Sequence, residues 1–74
     1  MKNLCDVRDG EEAAVLFIHG GRMAQQRLVE LGILPGERVR MFHNSGAGPL
    51  TVRVKGSKLS IGHGLAQKII VREE

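Results

Sequence analysis

The sequence predicts a mainly β fold: a small, partly open barrel of five short strands, with one short helix between the first two strands and a helical turn before the last. Ten glycines divide the chain of 74 residues into short runs rich in apolar and β-branched residues. Some of these runs alternate apolar and polar residues, which is the pattern of strands with one buried face. Closing so few strands into a barrel would remove most of the exposed sheet edge.

The length and composition allow one domain, which we assign to residues 1–74. The chain has 11 basic and 8 acidic residues, a net charge of +3, and it lacks Trp and Tyr. Single-strand binders stack bases on aromatic side chains, so we expect no nucleic-acid partner. One cysteine excludes an internal disulfide framework. Because neither a signal peptide nor an apolar run of about 20 residues is visible, we expect a cytoplasmic protein.

A strand and a helix are predicted in the first half of the chain. The apolar run Ala13–Ile18 indicates a strand that is buried on both faces. The segment Met23–Leu31 indicates a helix, because Ala24, Leu28 and Leu31 recur at helical spacing. We expect these three side chains to face the core, since so short a helix must be held by packing.

Two glycines and a proline after the helix predict a tight corner. Gly32 stands where a left-handed residue commonly caps a helix. In Leu34-Pro35-Gly36, proline presets φ at the second turn position and glycine permits a positive φ at the third, as a type II turn requires. Leu34 is a large apolar residue at this turn, so it either contacts a partner or covers the end of the barrel.

The second half of the chain is predicted to be β-rich. Strands are expected at 37–42, 50–55, 58–61 and 69–72, with a helical turn at 65–68. The segment Asn44–Pro49 indicates a flexible loop, and Gly56-Ser57 indicates a tight hairpin turn. Basic residues occupy the outer faces of these strands, which favours a solvated surface over a nucleic-acid stripe: Arg38, Arg40, Arg53, Lys55 and Lys58.

Motifs for catalysis are absent, so we expect neither an enzyme nor a bound cofactor. The three histidines, His19, His43 and His63, are weak candidates for a metal site. They could meet at one rim of the barrel, with Cys5 or an acidic residue, or each could be a solvated loop residue. Cys5 itself is expected to be an inert, packed thiol.

The segment at residues 27–36 resembles a motif of a known family. Its sequence, Arg-Leu-Val-Glu-Leu-Gly-Ile-Leu-Pro-Gly, is similar to the Arg-Leu-x-x-Leu-Gly-hydrophobic-x-Pro-Gly motif of the FeoA family. Residues 4–10, 48–56 and 65–71 resemble the opening, the mid-chain hairpin and the close of that family. The likeness covers essentially the whole chain, and the order and spacing of its parts make it specific.

The resemblance implies an SH3-like β-barrel and a role in bacterial ferrous iron uptake. It implies a partner, the FeoB membrane transporter, whose cytosolic part carries a GTP-binding domain and which would bring the protein to the membrane. The family has no agreed catalytic residues and no fixed iron-ligand motif, so none are transferred to this chain. The alternative function is a metal-binding or metal-sensing domain that uses the histidines at the rim.

The helix and corner are the predicted docking surface for the transporter. Two glycines and a proline restrict this segment, so it would lose little conformational entropy on binding. Charged residues on the helix could add electrostatic complementarity. The candidate partner-binding residues are Arg27, Leu28, Glu30, Leu34, Pro35 and Gly36.

Overall fold

The computed structural model describes residues 2–74, which form six β-strands and two α-helices. The strands are β1 (Lys2–Asn3), β2 (Glu12–Ile18), β3 (Arg38–His43), β4 (Leu50–Val54), β5 (Ser57–Ile61) and β6 (Ile69–Glu73). The helices are α1 (Arg22–Glu30) and α2 (His63–Ala66), and a 3₁₀ turn spans Leu4–Asp6. The mainly β prediction is confirmed, but the strand count of five was too low because β1 is too short to show any periodicity.

The strands form one antiparallel sheet in the order β1-β6-β2-β3-β4-β5. Strands β1 and β5 stand at the two ends of this order, so the barrel is not closed by a sixth strand pairing. The short β1 brings the beginning of the described chain beside its end, where Lys2 Nζ lies 2.8 Å from Glu73 Oε1. That hydrogen bond raises the pKa of the Lys2 ammonium.

The core lies on the inner face of this curved sheet. Strands β2, β3, β4 and β6 bury alternate apolar residues and β5 buries Ile61, and the alternation predicted for Leu50, Val52 and Val54 is confirmed. Helix α1 contributes Leu28, which is fully buried. The prediction that Ala24 and Leu31 also face inward is met in part, because both are only partly buried.

A β-bulge overturns the expectation that Ala13–Ile18 is buried on both faces. Val15 pairs with Val71 but Phe17 pairs with Ile70, so β2 carries one extra residue at this point. As a result Leu16 and Phe17 keep 41% and 40% of their surface exposed. A run of apolar residues in a sequence does not indicate such a shift in strand register.

Helix α1 ends in a Schellman motif. The amide of Gly32 donates to the carbonyl of Val29 at 2.9 Å, and the amide of Ile33 donates to that of Leu28 at 2.8 Å. Gly32 has a φ of +84°, as a left-handed cap requires. Leu28 and Ile33 are both fully buried, so the motif also packs the helix end onto the core.

The hairpin turn between β4 and β5 lies one residue earlier than predicted. Val54 pairs with Ser57, which leaves Lys55 and Gly56 as the two turn residues. Their φ values of +52° and +80° are those of a type I′ turn. The prediction of Gly56-Ser57 as the two turn residues is therefore wrong. Lysine seldom adopts the left-handed conformation, so Lys55 gave no indication that the turn begins there.

Candidate docking site

The corner after α1, here called the elbow (residues 32–37), is a fixed turn. The amide of Glu37 donates to the carbonyl of Leu34 at 3.0 Å, and Gly36 has a φ of +94°. With Pro35 at the second position, these features confirm the predicted type II turn. A Cβ added at Gly36 would meet nothing within 4 Å, so backbone conformation rather than space requires the glycine.

Two hydrogen bonds tie the elbow to the strand beside it. The amide of Gly36 donates to the carbonyl of Val15 at 2.8 Å, and the amide of Val15 donates to the carbonyl of Glu37 at 2.9 Å. Pro35 and Gly36 are exposed, and Leu34 keeps 37% of its surface exposed. Leu34 is thus exposed in part, and the rest of its surface is covered by the protein.

The outer face of α1 continues this exposed surface. Met23, Gln26, Arg27 and Glu30 line a shallow groove of about 220 Å³. Met23 is 84% exposed, although a side chain of its size usually loses such area to packing. Met23 and Gln26 are not part of the family motif, but helical spacing from Arg27 and Glu30 places all four on one face.

Leu28 is the one candidate docking residue that the structure removes from the surface. Its side chain is 0% exposed and packs with the core beneath α1. A partner cannot touch it without unfolding the helix, so its part is to hold α1 in place. The carbonyl of Leu28 also accepts the Schellman hydrogen bond from the amide of Ile33.

The three histidines do not converge. His43 Nδ1 lies 3.8 Å from Asp9 Oδ2, whereas His63 Nδ1 lies 3.7 Å from Cys5 Sγ. His19 is exposed at the end of β2. Among residues 2–74 no three side chains of His, Cys, Asp or Glu lie close enough to share a metal ion. The prediction of a metal site built from all three histidines is therefore wrong, because their side chains lie beside different residues.

Cys5 is half-buried and packs against the edge of the core. Burial, and to a lesser extent the neighbouring Asp6 carboxylate, raises the pKa of its thiol. A raised pKa keeps the sulfur protonated near neutral pH, whereas nucleophiles and metal ligands act as thiolates. This environment supports the prediction of a packed, unreactive thiol.

Most of the basic residues predicted on the outer strand faces are paired. The ion pairs join Arg38 to Glu74 at 3.0 Å, Arg40 to Glu12 at 3.7 Å and Lys55 to Glu37 at 3.0 Å. Arg53 and Lys58 instead lie over the ring of Phe42. No helix in the described chain has the length and apolar character needed to cross a membrane.

Comparison with known proteins places the chain in a family. The model of the FeoA domain matches residues 2–73. A Fe(2+) transport protein A of Methanocaldococcus jannaschii is 41% identical over 73 residues, which is 99% of this chain and 88% of that protein.

Solved structures agree in fold. The crystal structure of an iron uptake regulatory protein (FeoA) superposes with a TM-score of 0.94 at 33% identity, over 99% of this chain and 97% of that one. The FeoA of Stenotrophomonas maltophilia, crystallised with zinc and described as a prokaryotic SH3 domain protein, gives 0.83 at 27% identity, over 97% and 91%. The SH3-like fold is thus confirmed, and the chain belongs to the FeoA family.

Proposed function

We propose that this protein is a non-catalytic accessory module of ferrous iron uptake that works in the cytoplasm. Membership of the FeoA family supports a role in ferrous iron uptake, since relatives carry names for Fe(2+) transport and for iron uptake regulation. The partner we propose is the cytosolic GTP-binding region of a FeoB-type membrane transporter, which recruits the protein to the membrane. The observation that carries this proposal is the rigid, exposed elbow beside the groove on α1.

The chemistry of this surface suits a protein partner. Leu34 and Met23 offer exposed apolar area, which is a source of binding free energy. Arg27 and Glu30 line the groove with Met23 and carry opposite charges, and no ion pair involves either one within the described chain. Specific interfaces commonly combine buried apolar anchors with a polar rim.

Rigidity is the second argument for the elbow. Gly32 and Gly36 already hold their left-handed conformations, and two hydrogen bonds with Val15 fix the turn. A segment ordered before binding loses little conformational entropy when the complex forms. The turn would therefore bind without refolding, as most preorganised interfaces do.

An NMR titration tests this proposal. Amide signals of the labelled protein are followed while the GTP-binding region of the transporter is added, and the largest shifts are expected at residues 23–37. The variant Arg27→Glu should weaken binding about tenfold. Arg8→Glu is the matched control, because Arg8 is equally exposed and the change in net charge is the same.

Shifts confined to residues 51–58 would move the interface to the β4–β5 hairpin and overturn the elbow as the docking site. No binding at all would overturn the proposed partner. Equal losses of affinity for Arg27→Glu and Arg8→Glu would show that binding depends on the net charge of the protein and not on the groove.

A further inference from the structure

We propose that the outer face of β3, β4 and β5 is a second binding surface, which takes an acidic segment of a protein partner. The surface consists of Arg40, Phe42, Arg53 and Lys58, and we call it the cation face. It shares no residue with the elbow or with the groove on α1. The inference therefore goes beyond the proposed docking on the transporter and does not depend on it.

The register of the sheet sets three cations in a row. Arg40 is the direct partner of Arg53, and Arg53 is the direct partner of Lys58. Their side chains point outward, because Met41 and Val52, next to them along the strands, are buried. Strands lie about 4.8 Å apart, so the row spans only about 10 Å. Like charges directly opposite one another destabilise a sheet.

The chain neutralises only one end of this row. Glu12 lies 3.7 Å from Arg40, but no carboxylate in the described chain pairs with Arg53 or Lys58. By contrast, Arg38 on β3 and Lys55 in the turn after β4 each have a carboxylate at 3.0 Å. The positive charge at Arg53 and Lys58 is thus left for another molecule to neutralise.

Phe42 holds the two unpaired cations together. It is the extra residue of a bulge, since Met41 pairs with Val52 and His43 with Thr51. The Nζ atom of Lys58 lies 4.3 Å from the centre of its ring, and the guanidinium carbon of Arg53 lies 5.3 Å from it. Cation–π attraction at these distances keeps both side chains over one spot and partly ordered before binding.

These features favour carboxylates over nucleic acid. Two cations already lie over the ring of Phe42, and Phe17, the chain's other aromatic residue, lies on β2, so the cation face offers at most one ring where a single-strand binder uses several. Alternate side chains of an extended peptide are about 6.6 Å apart, so two acidic residues could reach neighbouring cations of the row. Arg53 can also bind a carboxylate through two parallel hydrogen bonds.

Fluorescence anisotropy with a labelled peptide tests the proposal. The probe is a decapeptide of alternating glutamate and threonine, and the protein is the full chain in about 0.15 M salt, where charges more than about 8 Å apart are largely screened. The double variant Arg53→Gln/Lys58→Gln should lose about tenfold or more in affinity. The control Arg8→Gln/Arg22→Gln removes the same net charge from exposed sites outside the cation face and should bind within about twofold of the parent.

A second readout does not depend on affinity. On binding, amide shifts should be largest at residues 40–42, 53 and 58, and circular dichroism should show that every variant stays folded. Three results would overturn the proposal: no binding of the peptide, equal weakening by the control pair, or tighter binding of a thymidine decanucleotide or of anionic phosphatidylglycerol vesicles than of the peptide.

Discussion

The amide of Gly36 donates a hydrogen bond of 2.8 Å to the carbonyl oxygen of Val15. This bond joins the elbow to β2 immediately before the bulge that turns Leu16 outward. The return bond, from the amide of Val15 to the carbonyl of Glu37, makes the turn an extension of the sheet. The geometry of one glycine therefore affects both the fold and the proposed docking surface.

The substitution Gly36→Val should destabilise the protein by about 1–3 kcal/mol. The φ of +94° lies in the left-handed region that a β-branched residue resists, while no neighbour would clash with the new side chain. Urea denaturation measures the loss. Gly64→Ala is the control, because Gly64 lies in α2 without a positive φ, and alanine there should preserve or slightly raise stability. Equal stability of Gly36→Val and the parent would contradict a left-handed requirement at the elbow.

The substitution Leu28→Ala should cost about 2–5 kcal/mol, since a fully buried leucine leaves a cavity when it is truncated. In so small a domain that loss is a large part of the total stability. Leu28→Met conserves volume and should cost less than about 1.5 kcal/mol. If Leu28 acts only through packing, the folded Leu28→Met variant should bind the transporter region as the parent does. Weaker binding by this variant, with stability preserved, would restore Leu28 as a contact.

Short-range signals in the sequence predicted much of the fold. The alternation in β4, the cap at Gly32 and the turn at Leu34-Pro35-Gly36 each depend on a few neighbouring residues, and the structure confirms them. The two bulges were not predictable, because a bulge is a shift in pairing between distant strands. For the same reason the exposure of Phe17 and the place of Phe42 as the extra residue of a bulge emerged only from the structure.

The candidate site shows the same division. The helix and elbow remain a predicted docking surface, and the buried position of Leu28 agrees with its helical spacing and not with its inclusion among the docking residues, because a motif does not state which members face inward. The histidines failed as a cluster because their meeting depended on long-range geometry that their spacing does not encode. The cation face needed the register between Arg53 and Lys58 to become visible.

Asn44 carries a long-range link that the loop prediction missed. Its side-chain amide donates to the carbonyls of Cys5 and Val7 at 2.9 and 2.8 Å. Asn44→Ala should therefore cost about 1–3 kcal/mol, measured by urea denaturation, because half-buried carbonyls lose their donors. Two glycines inserted after Ala47 should cost less than about 1 kcal/mol, since a slightly longer loop adds little closure entropy. A larger loss of stability from the glycine insertion than from Asn44→Ala would contradict the link.

Alkylation should show that the Cys5 thiol is unreactive at neutral pH. Because burial raises its pKa above the ordinary value of 9.0, the rate of reaction with iodoacetamide should have its midpoint above pH 9.0. Because the thiol has the higher pKa in the folded state, the unfolded state deprotonates first as the pH rises. The contribution of this thiol to the free energy of unfolding is therefore fully present below pH 9.0 and is lost as the pH rises through the folded-state pKa. In guanidinium, which unfolds the protein, the midpoint of the alkylation rate should return to the ordinary pKa of a cysteine thiol. A folded-state midpoint below pH 8 would instead mark an activated cysteine.

The most direct test of the central claim is the dissociation constant of Leu34→Ser for the GTP-binding region of the FeoB-type transporter, measured by calorimetry beside the parent. Because only 37% of the surface of Leu34 is exposed, the change should lower the free energy of unfolding by about 1–2 kcal/mol, so circular dichroism first checks that the variant is folded. The account predicts that binding weakens about tenfold or more, because an apolar anchor of the elbow is lost. An unchanged dissociation constant in a folded variant would contradict it.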